Sequence, residues 1–183
     1  MSIATKLMTA EDLFKISHGN QQYELMNGEL IQMSPAGGRH GIVAGKIFLR
    51  IGAFVESRKL GLVCAAETGF ILARNPDIVR GADASFISNA RIPKQGQPKG
   101  YWELAPDLAV EVISPNDPAS EVQSMVVEYL DAGTRLVWVI DPESKTVTAY
   151  RSLSNARVLT QKDMLDGADV LPGFSVAVSE LFE

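Results

Sequence analysis

The chain has 183 residues, of which 46% are hydrophobic and 21% are charged, and its formal net charge is -5. This length predicts one domain over residues 1–183, with a core large enough to fold without cross-links. The composition excludes an intrinsically disordered chain, the single cysteine excludes a disulfide framework, and the acidic balance argues against binding nucleic acid mainly through general positive charge.

The sequence gives no sign of a membrane or export segment. Its apolar runs are far shorter than the ~18 residues of a spanning helix, and its first residues lack the apolar stretch of a signal peptide. We therefore predict a cytoplasmic protein that does not contact a membrane. Cys64 lies in the apolar stretch Leu62-Val63-Cys64-Ala65-Ala66, which favours a small buried residue.

Two amphipathic helices are predicted in the first third of the chain. Thr9 is a suitable N-cap before apolar residues at helical spacing, and Gly19-Asn20 ends this first helix. Residues 40–59 carry a longer apolar stripe at helical spacing, which predicts the second helix. Gly45 and Gly52 within it lower its helical propensity or allow a close contact between helix and sheet.

A β-hairpin is predicted between these helices. Residues 23–33 alternate around Asn27-Gly28, a strong signal for a two-residue hairpin turn. Because side chains alternate along strands, Glu24 and Glu29 then share one face of the hairpin.

The remainder of the chain is rich in short strands and contains one more helix. Asp117-Pro118 opens this helix, which runs to about Asp131. β-rich runs predict strands over residues 62–66, 68–73, 82–88, 108–113, 136–140, 147–151, 158–160, 170–171 and 175–178. This order predicts an α/β (α+β) fold with a mixed central β-sheet flanked by helices, preceded by the N-terminal helix and hairpin.

The chemistry of the chain points to carboxylates. It has no phosphate-binding glycine loop, no CxxC pair and no HExxH, and two histidines are too few for a His-rich zinc site. Glu111 and Asp83 each lie inside an otherwise apolar strand, where a charge is costly unless it is paired, protonated or bound to a metal. Together with Glu24 and Glu29 they have the composition of a hard-cation site with oxygen ligands.

Structural roles for these acids remain open at this point. Each acid taken alone also fits a solvent-facing residue at a strand edge, and Arg80, Arg135 or Lys46 could neutralise one of them. His40, just inside the second helix, fits a helix cap, a surface residue or a phosphate contact. The cations of loop 89–101 fit either a nucleic-acid backbone contact or a solvated surface.

Several blocks of the sequence resemble the Uma family of putative restriction endonucleases, which belongs to the PD-(D/E)XK nuclease superfamily. The blocks are Tyr23-Glu24-Leu25-Met26-Asn27-Gly28-Glu29-Leu30, Pro106-Asp107-Leu108-Ala109-Val110-Glu111-Val112-Ile113-Ser114-Pro115, Tyr129-Leu130-Asp131-Ala132-Gly133 and Val137-Trp138-Val139-Ile140-Asp141-Pro142. His40 and Leu171-Pro172-Gly173-Phe174 extend the match over nearly the whole chain. The resemblance implies a restriction-endonuclease-like core, a Mg²⁺ or Mn²⁺ ion, a DNA substrate and a homodimer.

The resemblance also implies a set of site residues. Asp83 matches the first acid of the family, although Ala82 stands where a proline is usual, and Glu111 matches the second acid. Glu24 and Glu29 match the hairpin positions that complete the carboxylate set, and the carbonyl of Val112 is a further candidate ligand. Such carboxylates would hold a divalent ion that lowers the pKa of the attacking water.

The chain departs from the family at the catalytic lysine, which would stabilise charge on the phosphate. The family places this lysine on the helix before the block that begins at Tyr129, and the same spacing here reaches the inward-facing Met125. Three explanations remain open: catalysis is lost, another cation such as Lys46 or Arg80 reaches the site, or the alignment is shifted by a turn.

The third explanation finds no candidate on this helix, because no lysine or arginine occurs between residues 114 and 134. The sequence therefore predicts a divalent-metal-dependent DNA endonuclease that is weak or inactive. A catalytically dead nuclease fold that binds nucleic acid or protein is the alternative.

Overall fold

The computed structural model describes residues 7–16 and 21–183, and the predicted helix end at Gly19-Asn20 lies outside them. The helices are α1 (Ala10–Ile16), α2 (Gly38–Arg58), α3 (Ala119–Asp131) and a short 3-10 helix (Val178–Leu181). The strands are β1 (Gln22–Met26), β2 (Glu29–Met33), β3 (Gly61–Ala65), β4 (Gly69–Ala73), β5 (Ile78–Gly81), β6 (Ala84–Ser88), β7 (Leu108–Val112), β8 (Leu136–Asp141), β9 (Thr146–Ser152), β10 (Asn155–Leu159), β11 (Met164–Asp166) and β12 (Ser175–Ala177). None of the helices in the described ranges is long and apolar enough to cross a membrane.

The strands form three sheets. The central sheet has six strands in the order β10-β9-β8-β7-β6-β3, and β7 and β8 run parallel while the other neighbours are antiparallel. A second sheet has the order β2-β1-β5-β4, and β11 pairs with β12. The mixed central sheet, with helices beside it, confirms the predicted α/β (α+β) class.

Helices cover both faces of the central sheet. On one face, Ile47 and Ile51 of α2 belong to the same buried cluster as Trp138 of β8. On the other face, Val126 and Tyr129 of α3 belong to a second buried cluster with residues of β7 and β8. Burial on both faces explains why β7 and β8 are nearly continuous apolar runs.

The junction between the two larger sheets differs from the prediction. β5 lies in the four-stranded sheet and β6 in the six-stranded sheet, so the chain changes sheets at Ala82 and Asp83. The predicted strand over residues 82–88 is therefore two residues too long, and Asp83 lies just before a strand rather than inside one. β5 itself was not predicted, because Arg80 and Gly81 interrupt its apolar pattern.

A second difference concerns the predicted strand at residues 170–171. These residues form a turn, in which the backbone amides of Val170 and Leu171 donate to the carbonyl of Gly167. Both side chains belong to the core cluster beneath α2. Their apolar character therefore serves packing, and β11 supplies the strand that pairs with β12.

Gly45 and Gly52 of α2 do not make the close contact with the sheet that was one of the two predicted roles. Gly45 is exposed, and a Cβ atom built at Gly45 or Gly52 would meet no atom within 4 Å. These glycines therefore make no close contact with the sheet. The buried face of α2 carries Val43, Ile47 and Ile51 instead.

Candidate active site

Asp83 and Glu111 meet where β6 begins beside β7. Ala84 and Val110 form the last pair of the antiparallel register, and Asp83, directly before β6, lies close enough to Glu111 for its charge to act on that carboxyl. The Asp83 Oδ2 atom accepts a hydrogen bond of 2.8 Å from the backbone amide of Val112. The side chain of Asp83 thereby takes the place of a strand partner, which holds its carboxylate at the end of β7.

Of the two hairpin acids, Glu24 joins this site. Its Oε1 atom accepts a hydrogen bond of 2.8 Å from the amide of Gly81, and its Oε2 atom accepts one of 2.7 Å from Arg80 Nη1. Glu29 lies opposite Met26 at the exposed start of β2. The acids therefore share a hairpin face, but only the one beside β5 reaches the junction between the sheets.

Arg80 links the hairpin to helix α3. Its side chain is buried, with 8% of the residue exposed, and its Nε atom donates to Glu128 Oε2 over 2.7 Å. The guanidinium therefore lies between the carboxylates of Glu24 and Glu128. A planar group with five donors suits this bridging position.

Glu111 accepts a hydrogen bond from a buried tyrosine of α3. The hydroxyl of Tyr129 donates to Glu111 Oε1 over 2.8 Å, and Tyr129 is fully buried. Burial raises the pKa of Glu111 well above its usual range, and the charges of Asp83 and Glu24 raise it further. The Tyr129 hydrogen bond and the charge of Arg80 oppose this shift only in part.

His40 is a neighbour of Asp83. Its Nε2 atom lies 3.2 Å from Asp83 Oδ2, and only 15% of its side chain is exposed, so it is neither a cap nor a surface residue. The hydrogen bond with Asp83 raises the pKa of His40, and the carbonyl of Val112 adds to this shift against the effect of burial. No sequence signal connects a histidine in the first turn of α2 with an acid 43 positions later.

The other candidate cations lie elsewhere. Lys46 Nζ contacts the carbonyl oxygens of Glu180 and Glu183 at the C-terminal end of the described chain. Arg135 pairs with Asp169 and lies 3.7 Å from the buried Asp107. Of Lys46, Arg135 and Arg80, only Arg80 therefore forms ion pairs with acids of this site.

One cation of the 89–101 loop has a structural role. The Nη1 atom of Arg91 lies 3.3 Å from Oδ1 of Asp107, whose side chain is only 1% exposed. Asp107 Oδ2 also accepts a hydrogen bond from the amide of Ser88. These contacts favour a structural role for Arg91 over a contact with a nucleic-acid backbone.

Met125 lies on the face of α3 that points towards the acids. Tyr129 contacts Glu111, and Glu128 contacts Arg80. Met125 precedes these two residues by four and three positions, and side chains at these spacings are neighbours on a helix. Met125 is half-buried and packs against the core cluster that contains Tyr129. The position expected for a lysine thus faces inwards and carries a thioether.

The donor set suits a hard cation that brings part of its own coordination shell. Within residues 7–16 and 21–183, no group of three or more His, Cys, Asp and Glu side chains is placed so that it could hold a metal ion by itself. The hydrogen bonds given above engage Asp83 Oδ2 and Glu111 Oε1, and within the described residues the other oxygen of each acid takes part in none of these bonds. Mg²⁺ usually keeps several waters and uses one or two carboxylates together with substrate phosphates.

Comparison with known proteins identifies the family. The model of the Uma2 family, described as "Putative restriction endonuclease", matches residues 10–179. The chain belongs to the Uma2 family. Membership confirms the resemblance found in the sequence and supports a nuclease-like function for this Uma2 protein. Restriction-endonuclease-like families generally use divalent metal ions.

A solved structure shares the fold of this Uma2 protein. It is described as a putative nuclease belonging to DUF820 from Anabaena variabilis, and the TM-score is 0.83 at 22% sequence identity. The match covers 96% of this chain and 97% of that chain. No curated protein sequence matches the Uma2 protein.

Proposed function

We propose that this Uma2 protein is a DNA endonuclease that hydrolyses phosphodiester bonds with Mg²⁺ or Mn²⁺ and works slowly. The observation that carries the proposal is the proximity of Asp83, just before β6, to Glu111 of β7, with Glu24 beside them. We further propose that residues 1–183 act as one domain in the cytoplasm.

The proposed mechanism assigns a separate task to each side chain. Asp83 and Glu111 would hold the ion, and the carbonyl of Val112 is a further candidate because the amide of the same residue donates to Asp83 Oδ2. The ion, when bound, would polarise the phosphate and supply a nucleophilic water. Tyr129 orients Glu111 through its hydroxyl, and His40 orients Asp83 through Nε2.

The absence of a lysine explains why the proposed activity is slow. Positive groups aimed at the developing charge on a phosphate are a major source of transition-state stabilisation. The thioether of Met125 carries no charge and donates no proton. Arg80 is already engaged by Glu24 and Glu128.

The same observations favour one alternative, a catalytically dead nuclease fold that binds nucleic acid or protein. Met125 and the engaged guanidinium of Arg80 together leave the phosphate without a free positive partner from α3 or β5. Calorimetric titration with Mg²⁺ separates the two functions in part. DNA cleavage separates them fully.

Cleavage of supercoiled plasmid DNA tests the proposal. We expect slow nicking with Mg²⁺ or Mn²⁺ and none with a chelator, and we expect Asp83→Ala to abolish it because one of the two ligands is lost. Glu29→Ala is the matched control, since this exposed acid lies away from the junction, and it should cleave like the native chain. Nicking that survives Asp83→Ala would reject the site, and no nicking at all would favour the dead-fold alternative.

We propose that the protein forms a homodimer through the outer face of α2. Ile42 is 61% and Leu49 is 68% exposed on this face, and Gly45 between them leaves room for a second helix. In an antiparallel pair centred on these residues, the exposed Glu56 of one copy lies near the start of α2 in the other. That start has no side-chain cap and no acid in its first turn, so the charges are complementary.

Leu49→Glu is expected to convert the dimer to a monomer. The substitution would place two like charges in a closely packed apolar contact, which opposes association. Sedimentation over a range of protein concentrations measures the effect. Val158→Glu is the matched control, because Val158 is equally exposed, at 66%, on the edge strand β10. A native chain that is monomeric throughout, or a dimer that survives Leu49→Glu, would contradict this interface.

A further inference from the structure

The ion pairs of Arg80 give the acidic site an unusual charge balance. The carboxylates of Glu24 and Glu128 pair with one nearly buried guanidinium, and Glu111, which is influenced by the charges of Asp83, Glu24 and Arg80, lies close by. The distances from Arg80 to Glu24 and to Glu128 are both 2.7 Å. A charge buried to this degree is retained only when it is paired, so Arg80 depends on Glu24 and Glu128, and loss of Arg80 would leave these two acids without a counter-charge.

The position of Arg80 also brings it into conflict with a bound metal ion. Both oxygens of Glu24 are engaged, one by Arg80 and one by the amide of Gly81. The charge of Arg80 acts on Glu111 as well, because it opposes the rise in the pKa of that carboxyl. A divalent ion held by Asp83 and Glu111 would therefore be repelled by the charge of Arg80. It would also lack Glu24 as a free ligand.

We propose that Arg80 is a built-in counter-cation that competes with a divalent ion for the carboxylates of this site. It stabilises the site without metal and weakens its affinity for the ion. Arg80 is thus a positioning residue, which acts on the ion through Glu24 and Glu111 and does not replace the missing lysine. This inference rests on the proposed function, because it assumes that Asp83 and Glu111 hold the ion.

The test is calorimetric titration of the full chain with MgCl₂ and with MnCl₂. We expect Arg80→Met to bind either ion about tenfold or more tightly than the native chain, since a unit positive charge and a competitor are removed together. Arg50→Met is the control for net charge. Arg50 pairs with Glu180 over 2.6 Å on an exposed part of α2, and its loss should leave the affinity unchanged.

Further variants keep the test decisive if Arg80→Met folds poorly. Arg80→Gln removes the charge but retains one hydrogen bond to Glu24 or Glu128, and it should also bind the ions more tightly. Arg80→Lys keeps the charge and should bind them as weakly as the native chain. Thermal unfolding provides a second measurement. Because a bound ion stabilises the folded state, about 10 mM Mg²⁺ should raise the Tm of the neutral variants more than that of the native chain.

The outcomes separate this inference from the nuclease proposal. Unchanged or weaker ion binding by Arg80→Met and Arg80→Gln would overturn the counter-cation, whether or not DNA is cut. Tighter binding by the neutral variants without any DNA cleavage would uphold it and reject the nuclease. Cleavage that requires Asp83, combined with unchanged ion affinity in both neutral variants, would support the nuclease and overturn the counter-cation.

Discussion

Met125→Lys is expected to increase Mg²⁺-dependent DNA cleavage by about 100-fold or more, the scale on which one preorganised charge acts on a transition state. Met125 shares a helix face with Tyr129 and Glu128, which already contact the site. A lysine side chain is slightly longer than that of methionine, and its ammonium group is carried on a flexible four-carbon stem. The half-buried position allows the stem to pack while the charge reaches towards the acids.

Initial rates of plasmid nicking with Mg²⁺ and Mn²⁺ measure this gain. Met125→Gln is the matched control, because it introduces polarity without charge and should leave the rate at the native level. The double variant Met125→Lys/Asp83→Ala should lose the gain, which ties the new activity to the same site. A folded Met125→Lys protein that binds Mn²⁺ but cuts no faster than Met125→Gln would refute the role assigned to this position.

Glu111→Gln is expected to stabilise the metal-free protein increasingly as the pH rises above the ordinary pKa of a glutamate. The pKa of Glu111 is raised in the folded state, mainly by burial and then by Asp83 and Glu24. Between the unfolded and folded pKa values, the folded state holds a proton that the unfolded state has lost. Native stability therefore falls with increasing pH in this window, by about 1.4 kcal/mol per pH unit.

Glutamine removes this loss because it does not ionise, and its amide oxygen can still accept the Tyr129 hydrogen bond. Urea unfolding in the presence of a chelator gives the free energy of unfolding at each pH. The series starts at about pH 4, near the usual pKa of a glutamate, and continues upwards. Glu29→Gln, on the exposed hairpin, controls for the loss of one acid. A constant difference between Glu111→Gln and the native chain across the range would show that Glu111 does not carry the raised pKa.

The sequence alone predicted the elements whose signals are local. Asn27-Gly28 specifies the hairpin turn, and the pairing of Met26 with Glu29 follows from it. The apolar stripes of α2 and α3 and the continuous runs of β7 and β8 require only neighbouring residues to be read. The complete burial of Trp138 and Tyr129 follows from those patterns as well.

Boundaries were predicted less well where long-range packing overrides local preference. The turn at Val170 and Leu171 resembles a short strand in sequence because both side chains enter the core. The change of sheet at Asp83 has no local apolar signature. It arises because β5 pairs with the hairpin while β6 pairs with β7.

By itself the sequence determined the family pattern, the acidic character of the site and the lack of a lysine on α3. Only the tertiary structure decided which charges meet: Glu24 rather than Glu29, and Arg80 rather than Lys46. It also brought Tyr129 to Glu111 and His40 to Asp83. The reason is that periodicity assigns a side chain to a face of a helix or strand, whereas ion pairs depend on how separate sheets and helices come together.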